Sequence, residues 1–184
     1  PNAGMRDYVG IVKADPAIAT KILKSANSSY FGFSSQIASI ERAVPLLGSK
    51  TVVGLALSFS LSQVAIQPGP LSSCFQEHWE RSAIQAATAD LLSKLSTDAV
   101  DCDYFLAGLL TDIGSLALLQ TNAEDYLPVL ENAASSHRQL HEVEAELLGF
   151  DHSMVGRSML ELWSLPEALL QAIEYHHEGF DQLR

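Results

Sequence analysis

The stretch SKTVVGLALSFSLSQVAI, residues 49–66, decides the fold class of this chain because it fits two secondary structures. Leu57, Phe59 and Leu61 alternate with serines, as the half-buried face of a β-strand would. The stretch is longer than an ordinary strand, and no other segment has a strand pattern that could pair with it. We therefore predict a helix here and an all-α fold for the chain.

The segments before this stretch carry helical periodicity together with capping residues. In DPAIATKILKSANS, residues 15–28, Asp15 is a favourable N-cap and a proline occupies the first helical position, which predicts a helix over 16–26. In SIERAVPLLG, Ser39 is the predicted N-cap and Gly48 the predicted end of a second helix.

The clearest break in the chain is IQPGP, residues 66–70, where two prolines and a glycine disfavour a continuing helix. We place a boundary there, which gives an N-terminal lobe over 1–66 and a C-terminal lobe over 67–184. The second lobe has several further segments with helical periodicity. We predict helices over about 71–95, 101–120, 123–137, 139–148, 151–163 and 165–177.

Composition excludes several classes of protein. With 184 residues and 47% hydrophobic content, the chain can bury a core without staples. Cys74 and Cys102 fit neither a disulfide framework nor a zinc motif, so a reducing cytoplasm is the expected location. Serines and a glutamine interrupt the longest apolar run, residues 51–66, so no membrane span is predicted, and the N-terminus lacks the pattern of a signal peptide.

Charge argues against nucleic acid as a partner. The net charge is −11, and it is uneven, with +3 in residues 1–66 and −14 in the remainder. The acidic part should repel phosphate backbones. Lys13, Lys21 and Lys24 form a small basic cluster, for which a solvated helix face is the simpler interpretation.

A few polar residues could carry chemistry. Asp112 lies in the apolar stretch LLTDIGSL, and a buried aspartate requires a metal ion, a hydrogen-bond donor or a cation. His152 and the adjacent His176 and His177 add imidazoles, which suit zinc, iron or manganese together with a carboxylate. Neighbouring histidines on a helix point about 100° apart, so both can face one ion only if the helix ends there.

The same residues also have purely structural interpretations. His176 and His177 would suit the last turn of a helix, and His152 the first turn of another. His78, His137 and His141 lie in polar surroundings and are predicted to be surface residues. No nucleophile elbow or phosphate-binding loop is present in the sequence.

Five stretches together resemble the HDOD domain, a bacterial signalling module related to the HD metal-dependent phosphohydrolases. The resemblance implies an HD-like helical core with an additional N-terminal helical bundle. The stretches that carry it are DPAIATKILKSANSSYFG (15–32), SIERAVPLLGSKTVVGLAL (39–57), HWERSA (78–83), FLAGLLTDIGSLALL (105–119) and GFDHSMVGRSMLELWSLPEALLQAIEYHHE (149–178).

The resemblance also implies that the hydrolase site has lost ligands. Arg81 stands where catalytic relatives supply a first histidine, and Thr111 replaces the histidine of the His-Asp dyad. The retained or altered positions form a vestigial site or a ligand pocket, with no catalytic residue, no cofactor and no bound metal expected. These positions are Arg81, Thr111, Asp112, His152, His176 and His177. In this interpretation Arg81 pairs with Asp112, and Arg81→Ala should lower the melting temperature markedly.

The leading functional prediction is a non-catalytic bacterial signalling domain, part of a larger regulator, whose partners are other signalling proteins or domains. Two alternatives stay open. One is a residual metal-dependent phosphohydrolase that acts on a nucleotide or phosphodiester through Asp112 and the three histidines. The other is a pocket around Arg81 and His152 that binds a small anionic signal without catalysis. The sequence leaves the oligomeric state undetermined.

Overall fold

The computed structural model describes residues 4–61, 70–95 and 102–178. These ranges contain helices and no strand, which confirms the all-α prediction. The chain divides into two compact units, Pro1–Gln63 and Val64–Arg184. The predicted boundary between residues 66 and 67 lies outside the described residues and stays a prediction.

The first unit contains the four N-terminal helices. They are α1 (Met5–Ala14), α2 (Pro16–Ala26), α3 (Ile40–Leu47) and α4 (Ser49–Leu61). The stretch with two possible structures is thus helical over its described part. Ile22, Ala26, Ala43 and Val44 are completely buried and form the centre of this unit.

Local capping signals explain the predicted helix ends in the first unit. Asp15 Oδ1 accepts the backbone N–H of Ile18 at 3.2 Å, and α2 begins at the next residue, Pro16, as predicted. Ser39 occupies the N-cap of α3, and Gly48 ends that helix with a φ of 80°, a conformation that favours glycine.

The second unit contains the remaining helices and all residues of the candidate site. They are α5 (Pro70–Ser93), α6 (Tyr104–Leu110), α7 (Ile113–Thr121), α8 (Ala123–Ser136), α9 (Leu140–Leu148), α10 (His152–Leu162) and α11 (Glu167–Glu174). Helix α6 packs along α5, α7 packs along α10, and α10 also contacts α11.

The helix predicted over 101–120 is wrong in one respect, because it is interrupted at Thr111 and Asp112. Helix α6 ends at Leu110 and α7 begins at Ile113. Asp112 takes the N-cap position of α7, with φ −100° and ψ 22°. Its side chain therefore lies at a junction between helices.

Two glycines allow α6 and α7 to approach their neighbours closely. A Cβ atom on Gly108 would lie 2.6 Å from the carbonyl oxygen of Gln85 in α5. A Cβ atom on Gly114 would lie 2.0 Å from the carbonyl oxygen of His152 in α10. The junction that carries Asp112 is thus held between α5 on one side and α10 on the other.

One stretch has the length and composition of a membrane span, with a mean hydropathy of 1.2 over Tyr104–Thr121. In the structure it forms α6 and α7, and 61% of it is buried inside the protein. This burial is typical of core helices in a folded domain.

Candidate functional site

Asp112 is a buried carboxylate with several polar side chains close to it. It is 8% exposed, and its two carboxylate oxygens face different sides. Oδ1 lies 3.4 Å from Nε2 of His152 and 3.4 Å from Nε2 of His176. Oδ2 accepts a hydrogen bond from Nε2 of Gln85 at 3.2 Å. We call the His152, His176 and His177 side of Asp112 the imidazole side.

The end of α11 explains how two adjacent histidines reach the same place. The helix ends at Glu174, so His176 and His177 lie in the turn that follows it. Their ring centroids are 3.8 Å apart, and the ring of His177 is 4.8 Å from that of His152. The sequence required the helix to end before both rings could face one point. The structure meets this condition.

His152 is oriented by a buried carboxylate. Its Nδ1 lies 2.6 Å from Glu144 Oε2, and its backbone N–H donates to the same oxygen at 2.9 Å. Glu144 is fully buried and accepts a further hydrogen bond from the hydroxyl of Tyr126. With Nδ1 engaged in this way, Nε2 of His152 faces the centre of the cluster.

The other two histidines also direct Nε2 to the centre. Nδ1 of His176 lies 2.7 Å from the carbonyl oxygen of Ile173, which requires a proton on Nδ1. Nε2 of His176 is buried and has no hydrogen bond. Nε2 of His177 lies 2.9 Å from Nε2 of His152. The ligand atoms of the three histidines all lie within 4.8 Å of one another.

This donor set fits a divalent transition-metal ion. Three imidazole nitrogens and one carboxylate oxygen suit zinc or iron, and neutral imidazole is a metal ligand only through an unprotonated nitrogen. Histidine ligands usually donate their other ring N–H to a carboxylate or a backbone carbonyl. Both arrangements occur here, at His152 with Glu144 and at His176 with Ile173.

A proton can satisfy the same cluster in the absence of metal. Burial alone would lower the pKa of His152, but hydrogen bonds to Asp112 and Glu144 outweigh it and raise that pKa to about 9. Burial would raise the pKa of Asp112, whereas the imidazoles of His152 and His176, each 3.4 Å from Oδ1, hold that pKa well below its usual range. Burial and the neighbouring His176 lower the pKa of His177 to about 4. A protonated His152 can thus share its one Nε2–H between Asp112 and a neutral His177.

The opposite side of Asp112 faces α5, and we call His78, Arg81 and Gln85 the α5 side. The predicted ion pair is long, with 4.0 Å between a guanidinium nitrogen of Arg81 and Asp112 Oδ2. The Arg81 side chain is 57% exposed, so water screens the pair. Gln85, His152 and His176 are nearer to Asp112 than Arg81 is. They provide most of the stabilisation of the buried carboxylate that the prediction assigned to Arg81.

Thr111 makes no contact with the cluster through its hydroxyl. Its Oγ1 donates to the carbonyl oxygen of Ala107 in α6 at 2.8 Å. The position before Asp112 therefore supplies no imidazole and turns its polar atom back to the backbone.

The expectation that His78 and His141 are surface residues is wrong. His78 is 7% exposed, and burial lowers its pKa to about 4, while the charges of Asp112 and Arg81 act in opposite directions. His141 is partly buried and stacks on His177 with ring centroids 4.0 Å apart. The spacing of His78, Arg81 and Gln85, at three and seven residues along one helix, could have indicated a shared face.

A cavity of about 400 Å³ adjoins the α5 side. His78, Arg81 and Ser115 are among its lining residues, whereas His152 is not. In its lining the charges of Glu77 and Glu131 offset those of Arg81 and Arg138, so the charge of the cavity does not select for an anion. Arg81 thus lines this cavity, whereas His152 lies on the imidazole side of Asp112. The two residues of the predicted pocket do not share one cavity.

This chain is similar to known proteins in sequence and in fold. The HDOD domain family model matches residues 1–179. An HDOD domain protein of unknown function from Geobacter sulfurreducens superposes with a TM-score of 0.74, at 22% identity over 97% of this chain and 59% of that one. A candidate signal transduction protein from Marinobacter aquaeolei VT8 gives 0.72, at 26% identity over 100% of this chain and 42% of that one.

The fold also matches a candidate phosphohydrolase from Shewanella amazonensis SB2B. The TM-score is 0.66, at 19% identity over 97% of this chain and 62% of that protein. This chain therefore spans about half of the length of the solved proteins that it matches.

Proposed function

Because this chain belongs to the HDOD domain family, we propose that it is a signalling domain that binds one divalent transition-metal ion on the imidazole side of Asp112 and does not catalyse hydrolysis. The observation that carries the proposal is that the ligand nitrogens of His152, His176 and His177 lie within 4.8 Å of one another. Asp112 Oδ1 lies 3.4 Å from Nε2 of His152 and 3.4 Å from Nε2 of His176. The absence of metal expected from the sequence stays a prediction, and this donor set argues against it.

The residues that would hold the ion come from three separate segments. Asp112 lies between α6 and α7, His152 begins α10, and His176 and His177 follow α11. When bound, the ion would supply positive charge to Asp112 and cross-link these segments. Since binding to the folded state alone stabilises that state, metal would make this unit more rigid and more stable.

Two features support a domain without hydrolytic activity. Thr111 precedes Asp112 where the resemblance to HD enzymes calls for a histidine, and its hydroxyl is occupied within α6. The α5 side offers an exposed arginine, which cannot bind a metal because guanidinium has no free lone pair. The site therefore has ligands for one ion and a gap where the dyad histidine would stand.

The setting that we propose is a larger bacterial regulator in the cytoplasm. The matched proteins are longer than this chain, and one of them is described as a candidate signal transduction protein. The acidic charge of residues 67–184 disfavours nucleic acid as a partner. The partners that we propose are other signalling proteins or domains.

Elemental analysis of the full chain, purified without chelators, tests the metal. We expect about one equivalent of zinc, iron or manganese per chain in the wild type, and much less in His177→Ala, which removes an exposed ligand. A wild-type protein without metal, which also takes up none on dialysis against these ions, would overturn the metal site.

A residual phosphohydrolase is the second candidate, because the cluster retains an aspartate and three histidines and the fold matches a candidate phosphohydrolase. The assay is release of nitrophenol from bis(p-nitrophenyl) phosphate by protein loaded in turn with manganese, iron and zinc. We expect no turnover above the Asp112→Asn variant. Turnover that requires Asp112 would replace our proposal by the enzymatic one.

A further inference from the structure

We propose that Glu144 and Tyr126 are positioning residues, which together fix the ring of His152 with Nε2 directed at Asp112 and His177. This inference rests on the proposed metal site, because the metal affinity of His152 depends on which ring nitrogen is available. Neither residue was among those that the sequence singled out.

The contacts of Glu144 leave His152 one ring orientation. Oε2 of Glu144 receives the ring nitrogen Nδ1 at 2.6 Å and the backbone N–H of the same residue at 2.9 Å. A carboxylate only accepts hydrogen bonds, so the Nδ1 of His152 must carry a proton. The unprotonated position of a neutral ring is then Nε2, which lies 3.4 Å from Asp112 Oδ1.

Tyr126 holds Glu144 in turn. Its hydroxyl donates to Oε1 of Glu144, so the carboxylate has partners on both oxygens. Tyr126 is 1% exposed and Glu144 is fully buried, so neither side chain can turn to solvent for another partner. Tyr126 in α8 therefore fixes a carboxylate in α9, which fixes an imidazole in α10.

A purely structural role explains these contacts less well. Replacing a whole buried ion pair by apolar residues of similar volume is often neutral or stabilising, so packing alone does not call for the Glu144–His152 pair here. In metal sites, by contrast, a carboxylate behind a histidine ligand fixes the ring and its protonated nitrogen, and its loss weakens metal binding about 10–100-fold. The arrangement of Glu144 behind His152 matches that second case.

The test uses the full chain with two matched glutamate variants. Glu144→Gln removes the charge behind His152, and Glu146→Gln makes the same change on the same helix, where Glu146 pairs with exposed Arg138 at 2.6 Å. Calorimetric titration of metal-free protein with Zn²⁺ should show affinity reduced about 10–100-fold in Glu144→Gln and unchanged in Glu146→Gln. Equal affinities in the two variants would overturn the inference.

A second readout does not depend on metal. In metal-free protein with ¹⁵N-labelled histidine, the wild type and Glu146→Gln should show a proton on Nδ1 of His152 that exchanges slowly with solvent. Glu144→Gln should lose this slow exchange. Tyr126→Phe should keep the proton on Nδ1, with exchange faster than in the wild type and a smaller loss of Zn²⁺ affinity than in Glu144→Gln. A His152 spectrum unchanged in both Glu144→Gln and Tyr126→Phe would overturn the positioning role.

Failure of the wild type to bind Zn²⁺ would instead overturn the metal site, and the ring spectra would still decide the roles of Glu144 and Tyr126.

Discussion

The two sides of Asp112 are both closely packed but differ in chemistry. On both, a glycine lets helix backbones approach to a distance that no Cβ would allow, Gly108 against α5 and Gly114 against α10. On the imidazole side, the rings of His152 and His176 have buried partners on Nδ1 and direct Nε2 to Asp112. On the α5 side, the charged residue is a half-exposed arginine at 4.0 Å.

This difference shows that close packing and a retained ligand set are separate properties of the site. The helices on both sides remain in contact with the Asp112 junction. Only the imidazole side has ligand atoms whose orientation is fixed by further hydrogen bonds.

The largest effect is expected from Asp112→Ala, which removes the group shared by both sides. His152 and His176 would lose a buried charged partner, and breaking such a pair costs about 3–5 kcal/mol of unfolding free energy. Urea denaturation of the metal-free protein measures the change. Asp125→Ala, on the exposed first turn of α8, is the control and should cost less than about 1 kcal/mol. Similar losses in both variants would contradict a central role for Asp112.

Gly114→Ala should be the next most damaging change, because its Cβ would lie 2.0 Å from a backbone oxygen of His152. Overpacking of this kind costs about 3 kcal/mol. Gly108→Ala should also lose stability, yet only Gly114→Ala should weaken Zn²⁺ binding, because it separates Asp112 from His152. Gly10→Ala is the control, since no atom lies within 4 Å of its added Cβ, and it should gain up to about 1 kcal/mol.

The acid limb of the stability curve should report on the α5 side through His78. Its folded-state pKa of about 4 lies below the ordinary 6.5, so the unfolded chain takes up the proton first as pH falls. The corresponding stability is present above pH 6.5 and is lost as pH falls towards 4. In metal-free protein, the loss of unfolding free energy between pH 6.5 and pH 4 should be about 2 kcal/mol smaller in His78→Gln than in the wild type. An equal loss in His78→Gln and the wild type would contradict a neutral, buried His78.

The smallest effect is expected from Arg81→Ala. The pair with Asp112 spans 4.0 Å and is exposed to solvent, so its loss should cost less than about 1 kcal/mol. Thermal melting at low and high salt checks this value. A loss as large as that in Asp112→Ala would restore the ion pair that the sequence suggested.

Local signals allowed much of the fold to be predicted. Asp15, Ser39 and Asp151 stand directly before α2, α3 and α10, and capping depends on a few neighbouring residues that can be recognised in the sequence. The break at Thr111 and Asp112 was missed because apolar residues flank it on both sides. That break depends on the close approach of α6 and α7 to other helices, which single-residue patterns do not contain.

The candidate site could be predicted only in part. Asp112 was identified as a possible ligand from its apolar surroundings, and His152, His176 and His177 from their residue type. Glu144 was missed because it lies in HEVEAELL, where acidic residues are frequent and the buried one looks like its exposed neighbours. Its role follows from contacts with α8 and α10, which the fold creates.

Zn²⁺ titration of the metal-free full chain, with one variant from each side of Asp112, tests the central claim most directly. We expect one Zn²⁺ per wild-type chain, an affinity at least about 100-fold weaker in His177→Ala, and an affinity close to wild type in Arg81→Ala. Absence of Zn²⁺ binding by the wild type, or equal weakening by the two variants, would contradict a metal site confined to the imidazole side.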